Sequence, residues 1–270
     1  MTFLFRAARR RRRAGSSLTL SQQVQAILAG TTGFALDRFD TSTLWQDTAA
    51  TVAVTTASDP VGRINAKWGA SPPNWQQGTA AQRPAYVAGG MTMDGVDDRM
   101  ETLSLASFTS NIPALFACER ITVASLAAIS TLWFFAHGTN ANQSRFTTIV
   151  NVDGSITFSG RRDDAGLGTF AVTSAAGLIT VSTPATIAVQ ADYAGTGLAK
   201  IWLNGTEVGS GAIGGSLGNT DATNPLRLRD GCGSGGVGTS FFNGTKRRSV
   251  FAPFAVSAGQ RATCEGWVAE

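Results

Sequence analysis

From Gly90 onward, apolar residues recur in short runs, many alternating with polar ones, and turn-forming residues separate the runs. Patterning of period two predicts strands. They are expected over 112–123, 131–136, 146–152, 155–158, 168–172, 179–181, 185–192 and 199–208, then over 224–229 and 241–255. Asp153-Gly154 and Asn204-Gly205 supply tight-turn chemistry between neighbours. Eight or more short strands at near-regular spacing predict an all-β fold, a sandwich or jelly roll. Upstream the pattern changes. Trp45, Trp68 and Trp75 stand among Asp59-Pro60, Pro72-Pro73 and Arg83-Pro84, which predicts an extended, turn-punctuated stretch over 31–89. Those rings suit core or interface anchoring first and a sugar-stacking platform second.

Helical spacing occurs at both ends. Thr19 and Gln22 have capping-box spacing, Val24, Ile27 and Leu28 form an apolar stripe, and Gly30 is a stop. At the other end, 257–270 reads as a short helix with Ser257 as cap and Ala262, Trp267 and Val268 inward. Three parts are therefore expected: a basic arm and anchoring helix over 1–30, the extended segment over 31–89, and the sandwich over 90–270.

Composition agrees with this picture and excludes others. Of 270 residues 43% are hydrophobic and only 15% charged, with 31 glycines, which excludes coiled coil, collagen and wholesale disorder. The net charge of +4 is a local effect. Arg6, Arg9, Arg10, Arg11, Arg12 and Arg13 fall in the first thirteen positions, which carry no acid, so the remaining body is near −2. An arm of this kind docks electrostatically, and guanidinium forks suit carboxylate clusters and phosphates alike. A protein assembly is the leading expectation for its partner, ahead of nucleic acid. Cys118, Cys232 and Cys264 are widely spaced and odd in number, which predicts free thiols made in a reducing compartment. The longest apolar stretch, 121–136, is interrupted by Ser and Thr and is shorter than the roughly 20 residues a bilayer requires, so no membrane insertion is expected, nor is an export signal read.

Several strings resemble known families. Met93-Asp94-Gly95-Val96-Asp97-Asp98-Arg99-Met100 resembles the F-D-G-V-D-D-Y-L strand and turn that open laminin-G-like, concanavalin-A-like sandwich domains. Ile201-Trp202-Leu203-Asn204-Gly205-Thr206-Glu207-Val208 is similar to their L-Y-V-N-G-x-x-V hairpin. Leu226-Arg227-Leu228-Arg229, Phe242-Asn243-Gly244 and the segment from Ser257 to Trp267 are similar to the elements that follow. The resemblance covers 90–270 and implies a concanavalin-A-like antiparallel sandwich. A second one is narrower. The run from Phe39 to Asp47, continued by Pro60-Val61-Gly62-Arg63-Ile64, resembles a segment of tailed-bacteriophage structural proteins, D-P-S-D-L-S-T-L-F-Q-D followed by Q-P-V-G-x-I-x-D-K-S-G. Here Asp37-Arg38-Phe39 replaces the usual W-Y-D-P approach, and Asn65-Ala66-Lys67-Trp68-Gly69 replaces D-K-S-G.

Candidate chemistry is sparse. Gly214-Gly215-Ser216-Leu217-Gly218 fits G-x-S-x-G, but that motif needs a later histidine, and the single histidine, His137, precedes it. Gly231, Gly233 and Gly236 fit G-x-G-x-x-G without a following helix, so no phosphate site is expected. Glutamates occur only at 101, 119, 207, 265 and 270, none in a strand with a second acid at alternate spacing, which argues against glycoside hydrolysis. Asp94, Asp97 and Asp98 are the best candidates for a hard cation such as calcium, and also suit an ordinary turn. Arg161-Arg162-Asp163-Asp164 reads as a solvated hairpin tip, and Asn142, Asn204 and Asn243 as turn residues. No catalytic residue is assigned, no sugar-binding residue can be named, and calcium is the one cofactor considered. The expectation is a non-catalytic phage-type virion protein, made in the host cytoplasm. It would be a spike, fibre or tail component that displays a lectin-like sandwich to a host glycan as a symmetric oligomer. The arm would hold it to other virion proteins. A purely cementing protein and a polysaccharide-degrading enzyme on the same fold are the alternatives.

Overall fold

The computed structural model describes residues 18–103, 105, 108, 110–137, 144–164, 168–221, 226–233 and 240–270. The arginine arm, Asn142, Gly236 and the first residues of the strand expected at 224 lie outside the described residues. Helix α1 (Leu20–Leu28) opens the described chain. Strands β1 (Phe34–Asp37), β2 (Leu44–Trp45), β3 (Arg63–Asn65), β4 (Asn74–Gln76), β5 (Ala85–Val87), β6 (Gly90–Asp94), β7 (Met100–Thr102), β8 (Ala114–Val123) and β9 (Ser130–His137) follow. After them come β10 (Ser144–Val150), β11 (Ile156–Gly160), β12 (Phe170–Thr173), β13 (Pro184–Asp192), β14 (Leu198–Leu203), β15 (Thr206–Ala212), β16 (Leu226–Asp230) and β17 (Asn243–Ala252). Helix α2 (Ala258–Ala269) closes it.

The strands form two antiparallel sheets. One runs β15-β14-β13-β8-β17-β6-β5, with β1 also paired to β17, and the other runs β12-β11-β10-β9-β16-β7-β4-β3-β2. Each sheet turns one face inward, and the side chains between them form the core. Trp75, Trp133, Phe34, Phe135, Phe158 and Phe251 are all buried there. Phe34, Trp75, Trp133 and Phe251 meet ring to ring at 5.2–6.3 Å, distances at which edge and tilted contacts are favourable.

The sequence-derived strands are recovered with two differences. Residues 179–181 are loop, although Ile179 is buried and its N–H donates to the Gly154 carbonyl. Residues 31–89 are woven into both sheets: β1 and β5 extend the eight-stranded sheet, and β2, β3 and β4 finish the nine-stranded one. β5 pairs with β6 in a short hairpin, Val87 opposite Gly90. The turn at Asn204 (φ 48°) and Gly205 (φ 86°) joins β14 to β15 as its sequence predicts. Gly69 is needed for another reason. Its φ is 79°, and a β-carbon there would lie 1.9 Å from the Gly33 carbonyl oxygen.

The two helices lie together over the outer face of the eight-stranded sheet. Both start with a complete capping box, Thr19 with Gln22 and Ser257 with Gln260. Val24, Leu28, Cys264, Trp267 and Val268 pack against Ala35, Phe116, Cys118, Ala188, Trp202 and Val250. Trp68 packs on Trp267 at 5.0 Å. Ala262, expected inward, is exposed. The buried positions 264, 267 and 268 set the inner side of α2, and residue 262 falls about 200° from 264 around the helix. All three cysteines are buried thiols. Burial raises Cys232 to about 11 and Cys264 to about 12, and pushes Cys118 well above the usual thiol range.

A charged cluster that no sequence pattern announces ties the sheets together. Glu119 on β8 and Lys246 on β17 face Asp230 on β16 across the core, and Arg38, just after β1, joins them; all four side chains are fully buried. Lys246 Nζ donates to Glu119 at 2.9 Å, to Asp230 at 2.5 Å and to the Leu132 carbonyl at 2.9 Å. Arg38 donates to Asp230 at 2.5 Å and to the Ser249 hydroxyl at 2.7 Å, and that hydroxyl donates to Glu119 at 2.6 Å. Burial opposes the charge on Asp230, yet Lys246 and Arg38 outweigh it and hold its carboxyl below the usual range. Burial raises Glu119 despite the pull of Lys246. Two cations against two carboxylates make the cluster complete in charge.

Candidate functional site

The outer face of the nine-stranded sheet has a different character. Inward and outward positions alternate along its strands, buried at Phe146, Thr148 and Val150 and half-buried at Thr147 and Ile149. Strand register then places outward side chains in one row across the sheet. Trp45 is opposite Arg63, Arg63 opposite Gln76, Gln76 opposite Glu101, Glu101 opposite Arg229, and Arg229 opposite Phe134. Thr147 and Ser159 continue it. From Trp45 to Phe134 the row crosses five strand spacings, roughly 24 Å at about 4.8 Å each.

At its centre two guanidiniums share Glu101. Arg227 Nη1 lies 3.3 Å from one carboxylate oxygen and Arg229 Nε 3.3 Å from the other. Arg229 is nearly enclosed, with 6% of its side chain exposed, whereas Arg227 and Glu101 are 39% and 35% exposed. The group carries net positive charge and presents polar hydrogen to solvent. At one end of the row Arg63 is fixed by Asn65 at 2.7 Å and the Thr48 carbonyl at 3.2 Å. The half-buried Trp45 beside it keeps an indole N–H without a partner. Of the three upstream tryptophans, Trp75 is in the core and Trp68 is against α2, so only Trp45 reaches this face. Period-two alternation could have found the row, but only after the pairing of β2, β3, β4 and β7 was known.

The aspartates singled out by sequence do converge. Ligand atoms of Asp94, Asp97 and Asp98 lie within 4.8 Å of one another. Their hydrogen bonds close the turn between β6 and β7. Asp94 accepts from the N–H groups of Val96 and Asp97, and Asp98 accepts from the N–H of Asp94. Burial, then the charges of Asp94 and Asp97, raises Asp98 to about 6. The string 161–164 is less exposed than a solvated tip: Asp163 is 2% exposed and ion-paired to Arg162 at 3.5 Å. Ser216 sits in a loop far from any strand-to-helix turn, and His137 ends β9.

On the opposite side, a cleft of about 310 Å³ lies between β13, β14 and α2, lined by Lys200, Trp202, Glu207 and Arg261. Arg261 sits 4.7 Å over the Trp202 ring, and Lys200 pairs with Glu207 at 3.0 Å. The aromatic face in that cleft is thus already taken by a cation.

No family model matches the chain, and no curated protein matches it. Solved structures do. The carbohydrate-binding module CBM40 of the Ruminococcus gnavus IT-sialidase aligns with a TM-score of 0.52 at 16% identity, over 67% of this chain and 96% of that one, and has also been solved bound to α2,3-sialyllactose. The ligand-binding domain of botulinum neurotoxin serotype D, in complex with N-acetylneuraminic acid, aligns with a TM-score of 0.55 at 7% identity, over 90% of this chain and 52% of that one. The NanB sialidase of Streptococcus pneumoniae, as its K499G mutant, aligns with a TM-score of 0.51 at 13% identity, over 65% and 27%. The fold is the lectin-like β-sandwich. At these identities the likeness is one of backbone architecture, in accord with the sandwich expected from the strand pattern.

Proposed function

We propose that the chain is a non-catalytic glycan-binding sandwich that uses the outer face of its nine-stranded sheet. The observation that carries this reading is the Trp45–Arg63–Gln76–Glu101–Arg229–Phe134 row. It combines the half-buried Trp45 ring with fixed donors and acceptors on a face that no helix covers among the described residues, while Phe134, 7% exposed, closes the row. The arginine pair around Glu101 favours glycans bearing a carboxylate, because a guanidinium fork binds that group in a matched, charge-assisted geometry. The ligands held by the CBM40 module and the toxin domain, sialyllactose and N-acetylneuraminic acid, support that chemistry. Both oxygens of the one glutamate in the row are held by arginines, which suits binding better than general acid catalysis.

On this reading the arginine arm, which precedes α1 in the chain, anchors the sandwich to its assembly. We assign the protein to a phage-type particle on the resemblance of its 39–64 stretch, as a host-attachment component in symmetric copies. Two measurements test this. Calorimetric titration of the full chain with 3′-sialyllactose and with lactose should show saturable binding of the acidic sugar, weakened about tenfold or more in Arg227→Gln. No binding to any member of a glycan array would leave the cementing role as the better reading. Mass spectrometry of gradient-purified particles should find the protein at fixed stoichiometry to the capsid protein, and its absence would remove the virion assignment.

A further inference from the structure

Arg120 occupies the outer face of β8, beside the last turns of α2, on the sheet opposite the glycan row. Its Nη1 donates to the Thr186 hydroxyl at 3.0 Å. The Thr186 backbone N–H in turn donates to the Asn204 side chain at 2.9 Å, so the guanidinium is held in place by a fixed neutral partner. Its Nε is buried and has no hydrogen-bond partner. Among the described residues no carboxylate forms an ion pair with it. Arg38 also has a buried Nε without a partner, but two carboxylates neutralise that guanidinium.

Arg120 therefore stands out as a half-withdrawn cation that nothing compensates. Burial, and then the charge of Arg247 on the neighbouring strand, lowers its hold on the proton. Arg247 forms no ion pair with a carboxylate of the described residues either; its guanidinium lies 5.3 Å from the Phe39 ring. A cation taken partly out of water next to a like charge costs stability unless an anion joins it. Space for one is present. Arg120 lines a cleft of about 280 Å³ with Thr186, Asn204, Gly205, Glu265 and Ala269. Glu265 does not fill the role, since both its oxygens are taken by Arg261 at 2.8 and 2.9 Å.

We infer that the Arg120 cleft binds an oxyanion, carried by an acidic side chain of a partner protein or free in solution. Pre-positioning by Thr186 lowers the ordering cost of capture. The site is separate from the glycan row and stands whether or not that row binds sugar.

The test is a titration of the full chain with sodium phosphate, sodium acetate and a poly-glutamate peptide, each at fixed ionic strength. Arginine Nε–H resonances and the thermal midpoint are followed together. One Nε–H signal, absent from Arg120→Gln, should move saturably while the midpoint rises, and the variant should need at least about tenfold more anion. In anion-free buffer Arg120→Gln should unfold at the same temperature as the parent or higher, because an uncompensated charge has been removed. Saturation by poly-glutamate at lower carboxylate concentration than acetate would identify a protein acid as the source, and equal response would identify a free anion. An unchanged anion response in Arg120→Gln, or movement of other arginine signals only, would overturn the site. Should Arg120→Gln fail to fold, Arg120→Lys keeps the charge and removes the fork, and the same readouts apply.

Discussion

The two sheets of this sandwich turn very different outer faces to their surroundings. On the eight-stranded sheet, Phe116, Cys118, Ala188, Trp202 and Val250 point outward and are apolar, and α1 and α2 lie over them. On the nine-stranded sheet the equivalent positions are Arg63, Gln76, Glu101, Arg229, Thr147 and Ser159, with no covering helix among the described residues. A central strand such as β8 therefore opens as an unbroken apolar run over 114–118, whereas β11 alternates through Ile156, Thr157, Phe158 and Ser159. The lesson is that strand patterning reports how many faces are buried. The face left polar is the one that no helix covers among the described residues.

The comparison can be broken most severely from the covered side. Trp267→Ala removes the ring that seats α2 on the sheet and should destabilise the chain by about 3–5 kcal/mol, read from the urea unfolding midpoint. A loss below about 1 kcal/mol would mean the helix layer is an ornament on an independently stable sandwich. Lys246→Met attacks what joins the two sheets: it leaves Glu119 and Asp230 facing Arg38 alone, and breaking a buried pair in this way costs about 3–5 kcal/mol. A neutral outcome would show that packing alone holds them together.

A pH effect of intermediate size comes from the β6–β7 turn. Asp98 titrates at about 6 in the folded chain, against an ordinary value of 3.8. Folding thus favours its protonated form. That contribution is complete below about pH 3.8 and is lost as pH rises through about 6. In Asp98→Asn the unfolding midpoint should depend less steeply on pH over that window, and an unchanged slope would reject the assignment. Calcium should leave the parent's midpoint unmoved if these carboxylates only close the turn.

The smallest stability effect belongs to the open face. Arg227→Gln should change stability by no more than about 0.5 kcal/mol, as an exposed ion pair contributes little. Its binding defect would then be separable from folding. A large loss of stability would make the arginine pair a structural clamp rather than a ligand contact.

Much of this architecture can be read from residue order. The apolar-rich runs over 112–123, 146–152 and 185–192, the Asn204-Gly205 turn and both capping boxes are local signals, carried by neighbours within a few positions. The strand run and the family-like motifs over 90–270 lead to a lectin-like sandwich on their own. Where local signals are weak the reading fails in a consistent way. The short strands of 31–89, some of only two or three residues, show no usable period. Their membership in both sheets was visible only through partners far along the chain.

The same reason separates the sites. The composition, the basic arm and the scarcity of acid pairs are properties of the chain itself, and they already argued for binding over catalysis. The outward row joins residues 45, 63, 76, 101, 229 and 134, and the buried cluster joins 38, 119, 230 and 246. Neither grouping has a spacing that sequence could reveal. Antiparallel register aligns the first, and the closure of two sheets over one core assembles the second. Tertiary structure alone also decides that Trp45 is a surface residue while Trp75 is core, because burial depends on what packs opposite a side chain and not on its own identity.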